Sequence, residues 1–124
     1  MSADVYDVDL DIGLPLTMNL ARTMHHRTYG KRIKAIRETT AAAAAHIGPL
    51  GRCEVLMHYR PADRRRRDAD GLVATLKPVC DGLVDAGLVV DDTPDLMTKH
   101  MPVIEPAARP FRVWLTITRL PLEQ

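Results

Sequence analysis

The residues in this sequence that are best suited to chemistry are three aspartates, Asp68, Asp70 and Asp92. Two acids separated by a single residue, joined by a third from a later turn, can converge on one divalent cation. Magnesium prefers oxygen ligands and usually keeps waters and a substrate phosphate in its shell, so a few protein carboxylates are enough. We therefore interpret the three aspartates as a candidate Mg²⁺ site.

Four consecutive arginines precede the first of these acids: Arg64, Arg65, Arg66 and Arg67. Their guanidinium groups would hold the phosphate backbone of a nucleic acid close to the metal. Lys77 would add a point charge for the transferred phosphate or orient the attacking water. Together with the aspartates, these cations indicate a site for the hydrolysis of a phosphodiester bond.

Each of these patterns also has a simpler explanation. Aspartates separated by one residue are common, and acids often lie near helix N-termini because the helix dipole favours them. The pair Asp9 and Asp11 needs no metal, since strand alternation explains it. An arginine run is often a solvated turn. The histidines lack zinc-like spacing, although His25 and His26 could touch phosphate.

Charge is distributed unevenly along the chain. The formal net charge is only +1, from 17 lysines and arginines against 16 aspartates and glutamates. A second basic cluster nevertheless lies between residues 22 and 37, and it includes Arg27 and Lys31. Because a polyanion responds to local potential, both basic clusters are candidate DNA contacts.

The size and composition of the chain indicate one soluble domain spanning residues 1–124. No apolar run approaches the ~20 residues of a membrane span. The first residues lack the basic-then-apolar order of a secretory signal, so we expect a cytoplasmic protein without a membrane partner. Cys53 and Cys80 fit neither a redox pair nor a zinc site and are expected to be buried thiols.

Alternating apolar residues predict four strands. The first is Val5–Ile12, whose three aspartates would face away from the core, and the second is Cys53–Tyr59. Two late strands follow, at about Leu96–Ile104 and Phe111–Arg119. The last of these is the most regular, because its apolar residues alternate without interruption.

Two helices are predicted between these strands. Lys31–Ile47 contains strong helix formers and an alanine run suited to close helix packing. The second helix covers about residues 72–84, with Gly87 just beyond its end. Pro78 predicts either a kink in this helix or a main helix that begins near Lys77.

The order of these elements is β-α-β-α-β-β. It indicates an α+β fold, a single domain with a small mixed or antiparallel sheet packed by two helices. Residues 13–30 combine proline, glycine, asparagine and basic residues without clear periodicity, and we expect a mobile loop there.

Four stretches, in order along the chain, resemble the RusA-type Holliday junction resolvases, a family of crossover junction endodeoxyribonucleases. They are RRRRDAD at Arg64–Asp70, LKPVCDGL at Leu76–Leu83, DAGLVVDD at Asp85–Asp92 and KHMPV at Lys99–Val103. In that family a run of arginines is followed by Asp-x-Asp-Asn and then by a helix that carries a lysine. The motifs Asp-Ala-Leu, Ala-Gly and Asp-Asp come after that lysine, in this order. Separated matches in the same order are far more specific than any one of them.

The resemblance implies a homodimer that cuts branched, four-way DNA symmetrically with Mg²⁺, or with Mn²⁺ as a substitute, in recombination and repair. Members of the family often belong to phages or prophages. By position, Asp68, Asp70 and Asp92 would be catalytic metal ligands, Asp91 a supporting neighbour, and Lys77 the catalytic lysine. The implied reaction is metal-assisted, in-line attack of water on a phosphodiester, which leaves a 5′-phosphate and a 3′-hydroxyl.

Two positions depart from the family pattern. Gly71 stands where the family usually has asparagine, and Asp70 to Lys77 spans seven residues where shorter members have about four. On a helix both spacings keep the lysine near the aspartate's face, but the axial gap grows from about 6 to about 10 Å. Two alternatives therefore stay open: a catalytically weakened protein that binds branched DNA, or a nuclease of the same fold that acts on flaps, forks or single strands.

Overall fold

A mixed sheet organises the protein in the computed structural model, which describes residues 4–122. Within that range its strands are β1 (Val5–Asp9), β2 (Cys53–Arg60), β3 (Met97–Lys99), β4 (Val103–Ile104) and β5 (Arg112–Arg119). Their order is β1-β5-β2-β3, and β4 also pairs with β2. β5 is antiparallel to β1 and β2, whereas β3 and β4 run parallel to β2. The predicted α+β fold with a small mixed sheet is therefore confirmed.

Helices pack against one face of this sheet. They are α1 (Met18–Thr23), α2 (His26–Ala44) and α3 (Val73–Asp85), and a 3-10 turn (Ala69–Leu72) leads directly into α3. α2 and α3 contact each other, and their apolar sides join the inward sides of β2 and β5 in one buried cluster. Among residues 4–122, no helix combines the length and apolar character needed to cross a membrane.

Strict alternation of burial characterises the central strands. The side chains of Cys53, Val55, Met57 and Tyr59 on β2 are buried, and the residues between them are partly exposed. β5 shows the same alternation. The prediction for these strands is confirmed, because each has a single buried face and side chains alternate between faces along a strand.

β1 ends at Asp9, before the predicted end of the first strand at Ile12, although Ile12 is buried. The aspartates of β1 face outward, as predicted. Asp7 accepts a hydrogen bond from Thr116 Oγ1 at 3.1 Å, and Asp9 pairs with Arg112 at 2.7 Å. The first acidic stripe is thus explained by exposure and by partners on the neighbouring strand.

The prediction of one strand over Leu96–Ile104 is wrong, because β3 and β4 are separate elements. Lys99 and Val103 are four positions apart. Their partners on β2, Val55 and His58, are only three positions apart, so one residue of the late segment is left without a partner. The proline between β3 and β4 lacks a backbone N–H, which helps to interrupt the ladder there.

The prediction of a mobile loop over residues 13–30 is also wrong, because this segment contains α1 and the start of α2. Thr17 caps α1, where its Oγ1 accepts a hydrogen bond from the backbone N of Leu20 at 3.1 Å. His25 Nδ1 accepts one from the backbone N of Arg27 at 3.2 Å at the start of α2. α1 has no fully buried residue, so no apolar stripe indicates it in the sequence.

The two predicted helices exist with shifted limits. α2 extends further toward the N-terminus than the predicted range Lys31–Ile47 and ends sooner. α3 is continuous with Pro78 inside it, so the alternative of a main helix beginning near Lys77 is wrong. Gly87 lies just beyond α3 with a φ of +88°, the left-handed conformation that favours glycine and often ends a helix.

α2 and α3 lie in close contact at Gly82. A Cβ atom added there would lie 2.6 Å from the Arg37 carbonyl oxygen and 2.8 Å from Thr40 Cβ. Ala44, the last residue of α2 and part of the alanine run, is completely buried. The predicted close packing of the alanine run is therefore confirmed at Ala44.

Both cysteines are buried free thiols, as predicted. Burial raises the pKa of Cys53 to about 11 and that of Cys80 to about 12, because a thiolate is poorly solvated in the core. Both thiols are therefore protonated at neutral pH and behave as small apolar side chains.

Candidate functional site

Two lysines and two aspartates meet beside α3. Asp92 Oδ2 accepts hydrogen bonds from Lys99 Nζ at 2.8 Å and from Lys77 Nζ at 3.2 Å. Lys77 Nζ also donates to Asp81 Oδ1, one helical turn away, at 2.9 Å. We call these residues the Asp92 cluster: Lys77, Asp81, Asp92 and Lys99. The structure thus brings together the predicted site residues Lys77 and Asp92.

Three elements position this cluster. Lys77 lies on the exposed side of α3, and Lys99 is the last residue of β3. The segment between them is anchored by Leu88, which is completely buried. Asp91 Oδ1 accepts a hydrogen bond from the backbone N of Asp92 at 2.8 Å, which holds the backbone in place. The supporting role in catalysis that the resemblance implies for Asp91 stays a prediction.

The charges of the cluster reinforce one another. Hydrogen bonds from Lys99, and then from Lys77, lower the pKa of the Asp92 carboxyl to about 2. Asp81, and then Asp92, raises the pKa of Lys77 above its ordinary value. Lys77 is consequently protonated at neutral pH, so it can serve as a fixed positive charge rather than as a general base.

The other two predicted metal ligands lie at the entry to α3. Asp68 precedes the 3-10 turn and Asp70 lies within it, and both residues are exposed. In the part of the chain that the structure describes, neither carboxylate has a hydrogen-bond or ion-pair partner. Their negative charges are therefore open to solvent or to a cation.

The donor types fit Mg²⁺, because Asp68, Asp70 and Asp92 all offer carboxylate oxygens. Their arrangement does not form a complete site. Across residues 4–122, no three His, Cys, Asp or Glu side chains lie close enough together to hold an ion. Asp92 is bound by two lysines instead. The three aspartates are thus not brought together, and the site for Mg²⁺ or Mn²⁺ stays a prediction.

Gly71, which replaces the family's asparagine, lies in the 3-10 turn just after Asp70. A Cβ atom added there would have Thr17 Cβ as its nearest neighbour, at an ordinary contact distance of 4.0 Å. Its φ is not in the left-handed region. Neither space nor backbone conformation therefore requires glycine, and a larger side chain can be accommodated.

The four arginines of the run fall into two groups, which differ in whether the side chain has a partner in the fold. Arg65 and Arg67 both donate to the carboxylate of Asp63, at 3.1 and 2.8 Å, and hold its pKa well below the usual range. Arg67 also donates to the backbone carbonyl oxygens of Asp63 and Arg65. Arg64 and Arg66 are exposed and have no such partner within residues 4–122. They are the arginines most available to a phosphate.

Two residues that organise the site were missed from the sequence. Lys99 lies in the KHMPV match, but its contact with Asp92 depends on the fold. Asp63 stands four residues before Arg67, and this spacing was the available signal for their ion pair. Lys99 holds the carboxylate of Asp92 in place, and Asp63 holds the guanidinium of Arg67. Neither adds an exposed charged group that is available to a ligand.

Arg27 and Lys31, the predicted DNA contacts outside the arginine run, lie on the first turns of α2 and are exposed. Neither side chain has a partner in the described part of the chain. The start of α2 borders a groove that Lys77 of α3 also lines. Arg22, from the same basic cluster, lines this groove, whereas Arg27 and Lys31 do not.

The fold and these contacts define an α+β domain with an arginine-rich turn and a lysine–aspartate cluster on α3. Comparison with models of known protein families finds no family that matches the chain, and comparison with curated proteins finds no match either. The interpretation of the site therefore depends on its own residues and geometry.

Proposed function

We propose that this protein is a Mg²⁺-dependent endodeoxyribonuclease that resolves four-way DNA junctions by paired, symmetric nicks. Water attacks the phosphodiester in line and leaves a 5′-phosphate and a 3′-hydroxyl. Two copies act together as a homodimer, because symmetric cutting of two strands needs two related active sites. The protein acts in the cytoplasm, in the recombination and repair of DNA.

The observation that carries this proposal is the meeting of three separated motifs at Asp92. Lys77 comes from LKPVCDGL, Asp92 from DAGLVVDD and Lys99 from KHMPV. Both lysines nevertheless donate to the same carboxylate. The remaining motif, RRRRDAD, leads into the helix that carries Lys77. Stretches that match separately along the sequence are neighbours in the fold, which supports a shared site.

Each group would have a distinct role in this reaction. Arg64 and Arg66 would bind phosphates of the DNA strands and position them. Lys77, held in its charged form, would stabilise the negative charge that develops on the phosphate under attack. Asp68 and Asp70 would hold Mg²⁺, which when bound supplies an activated water and stabilises the leaving oxygen.

A cleavage assay tests the proposal. Wild-type protein, Asp70→Asn and Asp11→Asn are incubated with a labelled four-way junction and with a matched linear duplex, in Mg²⁺ or in chelator. Asp11 is the matched control, because it is an exposed aspartate outside the site. We expect paired nicks near the crossover, in the junction alone, from the wild type and Asp11→Asn but not from Asp70→Asn. Normal cutting by Asp70→Asn would show that the site is wrongly assigned.

A second candidate function is the binding of branched DNA without efficient cleavage. Two observations favour it: Asp92 is neutralised by two lysines, and Gly71 provides no side chain beside Asp70. Binding to the junction without nicks, even with Mn²⁺, would establish this function. Competition with flaps, forks and single strands would show whether the four-way junction is the preferred form of branched DNA.

A further inference from the structure

An open groove of about 590 Å³ lies between α1, the start of α2 and α3. Apolar side chains make up most of its wall: Met18, Met24, Tyr29, Val73 and Pro78. Lys77 and Asp81 line it as well. Because both belong to the Asp92 cluster, the groove borders the candidate site.

The groove exposes apolar surface that the fold leaves uncovered. Met18 is 41% exposed, Val73 39% and Tyr29 37%. Apolar side chains grouped on a concave surface commonly mark a binding site. The volume of the groove lies within the range of about 300–1,000 Å³ that is typical of sites for small ligands or parts of larger ones.

Basic side chains border this apolar surface. Arg22, His26 and Lys77 line the groove. Asp81, the acid in its wall, already pairs with Lys77 at 2.9 Å. A ligand that complements the groove has a flat apolar part and a negative charge beside it. A nucleotide has both features, since its base is a flat ring system and its phosphate is an anion.

We propose that the groove binds an unstacked nucleobase from the branch point of a DNA junction, with the adjoining phosphate beside Lys77. This inference rests on the proposed function, because it specifies how that site recognises branched DNA. Tyr29 would stack on the base, as aromatic side chains do in sites for single-stranded nucleic acid. The apolar side chains of α1 and α3 would cover the rest of the ring.

Such a site would explain a preference for branched over linear DNA. Contacts to phosphates attract any DNA, because every duplex presents the same charged backbone. A base is drawn out of a duplex at a cost of a few kcal/mol, which is lower where pairing and stacking are already weakened. A branch point is such a place, so the groove would add affinity there.

The test uses 2-aminopurine, a fluorescent base that brightens when it unstacks, placed next to the branch point of a four-way junction in chelator. The full-length wild type is compared with Val73→Trp, which fills the groove, and with Tyr29→Ala, which removes the stacking ring. Val90→Trp is the matched control, because Val90 is 88% exposed and lies outside the groove. Thermal unfolding verifies that each variant is folded.

We expect the wild type and Val90→Trp to raise the fluorescence of the junction but not of a linear duplex. Val73→Trp and Tyr29→Ala should give no rise. Tyr29→Ala should also bind the junction about tenfold more weakly, with unchanged binding to the duplex, because one stacked base is lost.

Four outcomes would overturn the inference. Junction binding by the wild type without a rise, or a rise retained in both groove variants, would reject the groove while leaving the proposed function intact. Absence of junction binding by the wild type and Val90→Trp alike would reject the proposed function, and the inference with it. Loss of a dimer in Val73→Trp, measured by sedimentation without DNA, would assign the groove to a second copy of the chain.

Discussion

Lys77 Nζ lies 3.2 Å from Asp92 Oδ2, although fifteen residues separate them along the chain. The contact joins the lysine of α3 to the pair of aspartates that follows the helix. The long spacing between Asp70 and Lys77 therefore does not prevent the lysine from reaching the second acidic motif. The carboxylate of Asp92 is therefore paired with two ammonium groups, those of Lys77 and Lys99.

The pKa of Asp92 is the most direct test of this cluster. A carbon-detected NMR titration of the side-chain carboxyl should give a pKa of about 2. Lys99→Gln should raise it more than Lys77→Gln, because the hydrogen bond from Lys99 has the larger effect. Lys34→Gln is the control, since Lys34 is exposed on α2. A titration at the ordinary aspartate pKa in the wild type would contradict the geometry.

The same shift predicts how stability depends on pH. The folded-state pKa of about 2 is lower than the ~3.9 of an unfolded aspartate, so the ion pairs stabilise the fold above about pH 4. That contribution is lost as the pH falls toward 2, where the carboxyl is protonated. In urea unfolding, Lys99→Gln should therefore be less stable than Lys34→Gln near pH 6, and this difference should shrink near pH 2.

Gly71→Asn should increase cleavage if the proposed function is correct. The position has room for a side chain, so the free energy of unfolding should change by no more than ~0.5 kcal/mol. An amide next to Asp70 could orient that carboxylate, and such supporting groups commonly change activity about tenfold or more. Initial rates on a four-way junction, with Gly30→Asn as the control, measure the effect. An equal rate in the wild type and Gly71→Asn would show that the glycine is not limiting.

The arginines should separate into two classes in DNA binding. Arg64→Ala and Arg66→Ala should each reduce the slope of log affinity against log salt by about 1, because each loses one phosphate contact. Arg67→Ala should lower the melting temperature instead, since this side chain holds Asp63 and the local backbone. Filter binding across a salt series and thermal unfolding distinguish the two effects. If only Arg67→Ala changed the slope of log affinity against log salt, Arg67 would be the residue that contacts phosphate, and Arg64 and Arg66 would not be.

The sequence predicted those parts of the fold in which one face of an element is buried. β2 and β5 alternate because the helices cover only one side of the sheet, and their predicted burial is confirmed. α1 could not be found in this way, because none of its residues is fully buried. The break between β3 and β4 depends on a one-residue mismatch with β2, which only the paired strands reveal.

The candidate site was predictable as a set of residue types but not as an arrangement. Lys77, Asp92 and the arginines could be identified because charged motifs occur in a characteristic order. Their partners could not, since Lys99 reaches Asp92 only after β3 has paired with β2. The groove beside the cluster was also beyond prediction, because α1, which forms one wall of it, has no periodic signal.

The two cysteines should resist modification in the folded protein. Burial raises the pKa of Cys53 to about 11 and that of Cys80 to about 12, so almost no thiolate exists near pH 8. A chromogenic disulfide reagent should therefore react with neither thiol in the native state. In guanidinium chloride both should react, which is the control. Rapid labelling of one cysteine without denaturant would show that its part of the core opens readily.

Gly82 should be the glycine that the fold tolerates least well when it is replaced. In Gly82→Ala the new methyl group would lie 2.6 Å from the Arg37 carbonyl oxygen, so α2 and α3 would have to move apart. Overpacking of this kind costs about 1–3 kcal/mol of unfolding free energy.

Gly30→Ala is the matched control for this substitution. Gly30 lies inside α2, and a Cβ atom there would meet no atom of residues 4–122 within 4 Å. Because alanine is a better helix former, this variant should be more stable by up to about 1 kcal/mol. Urea unfolding should therefore shift the midpoint in opposite directions for the two variants. An equal loss of stability in both variants would show that the contact between α2 and α3 does not distinguish the two positions. An unchanged midpoint for Gly82→Ala would show that the helices are not packed as closely as their backbones indicate.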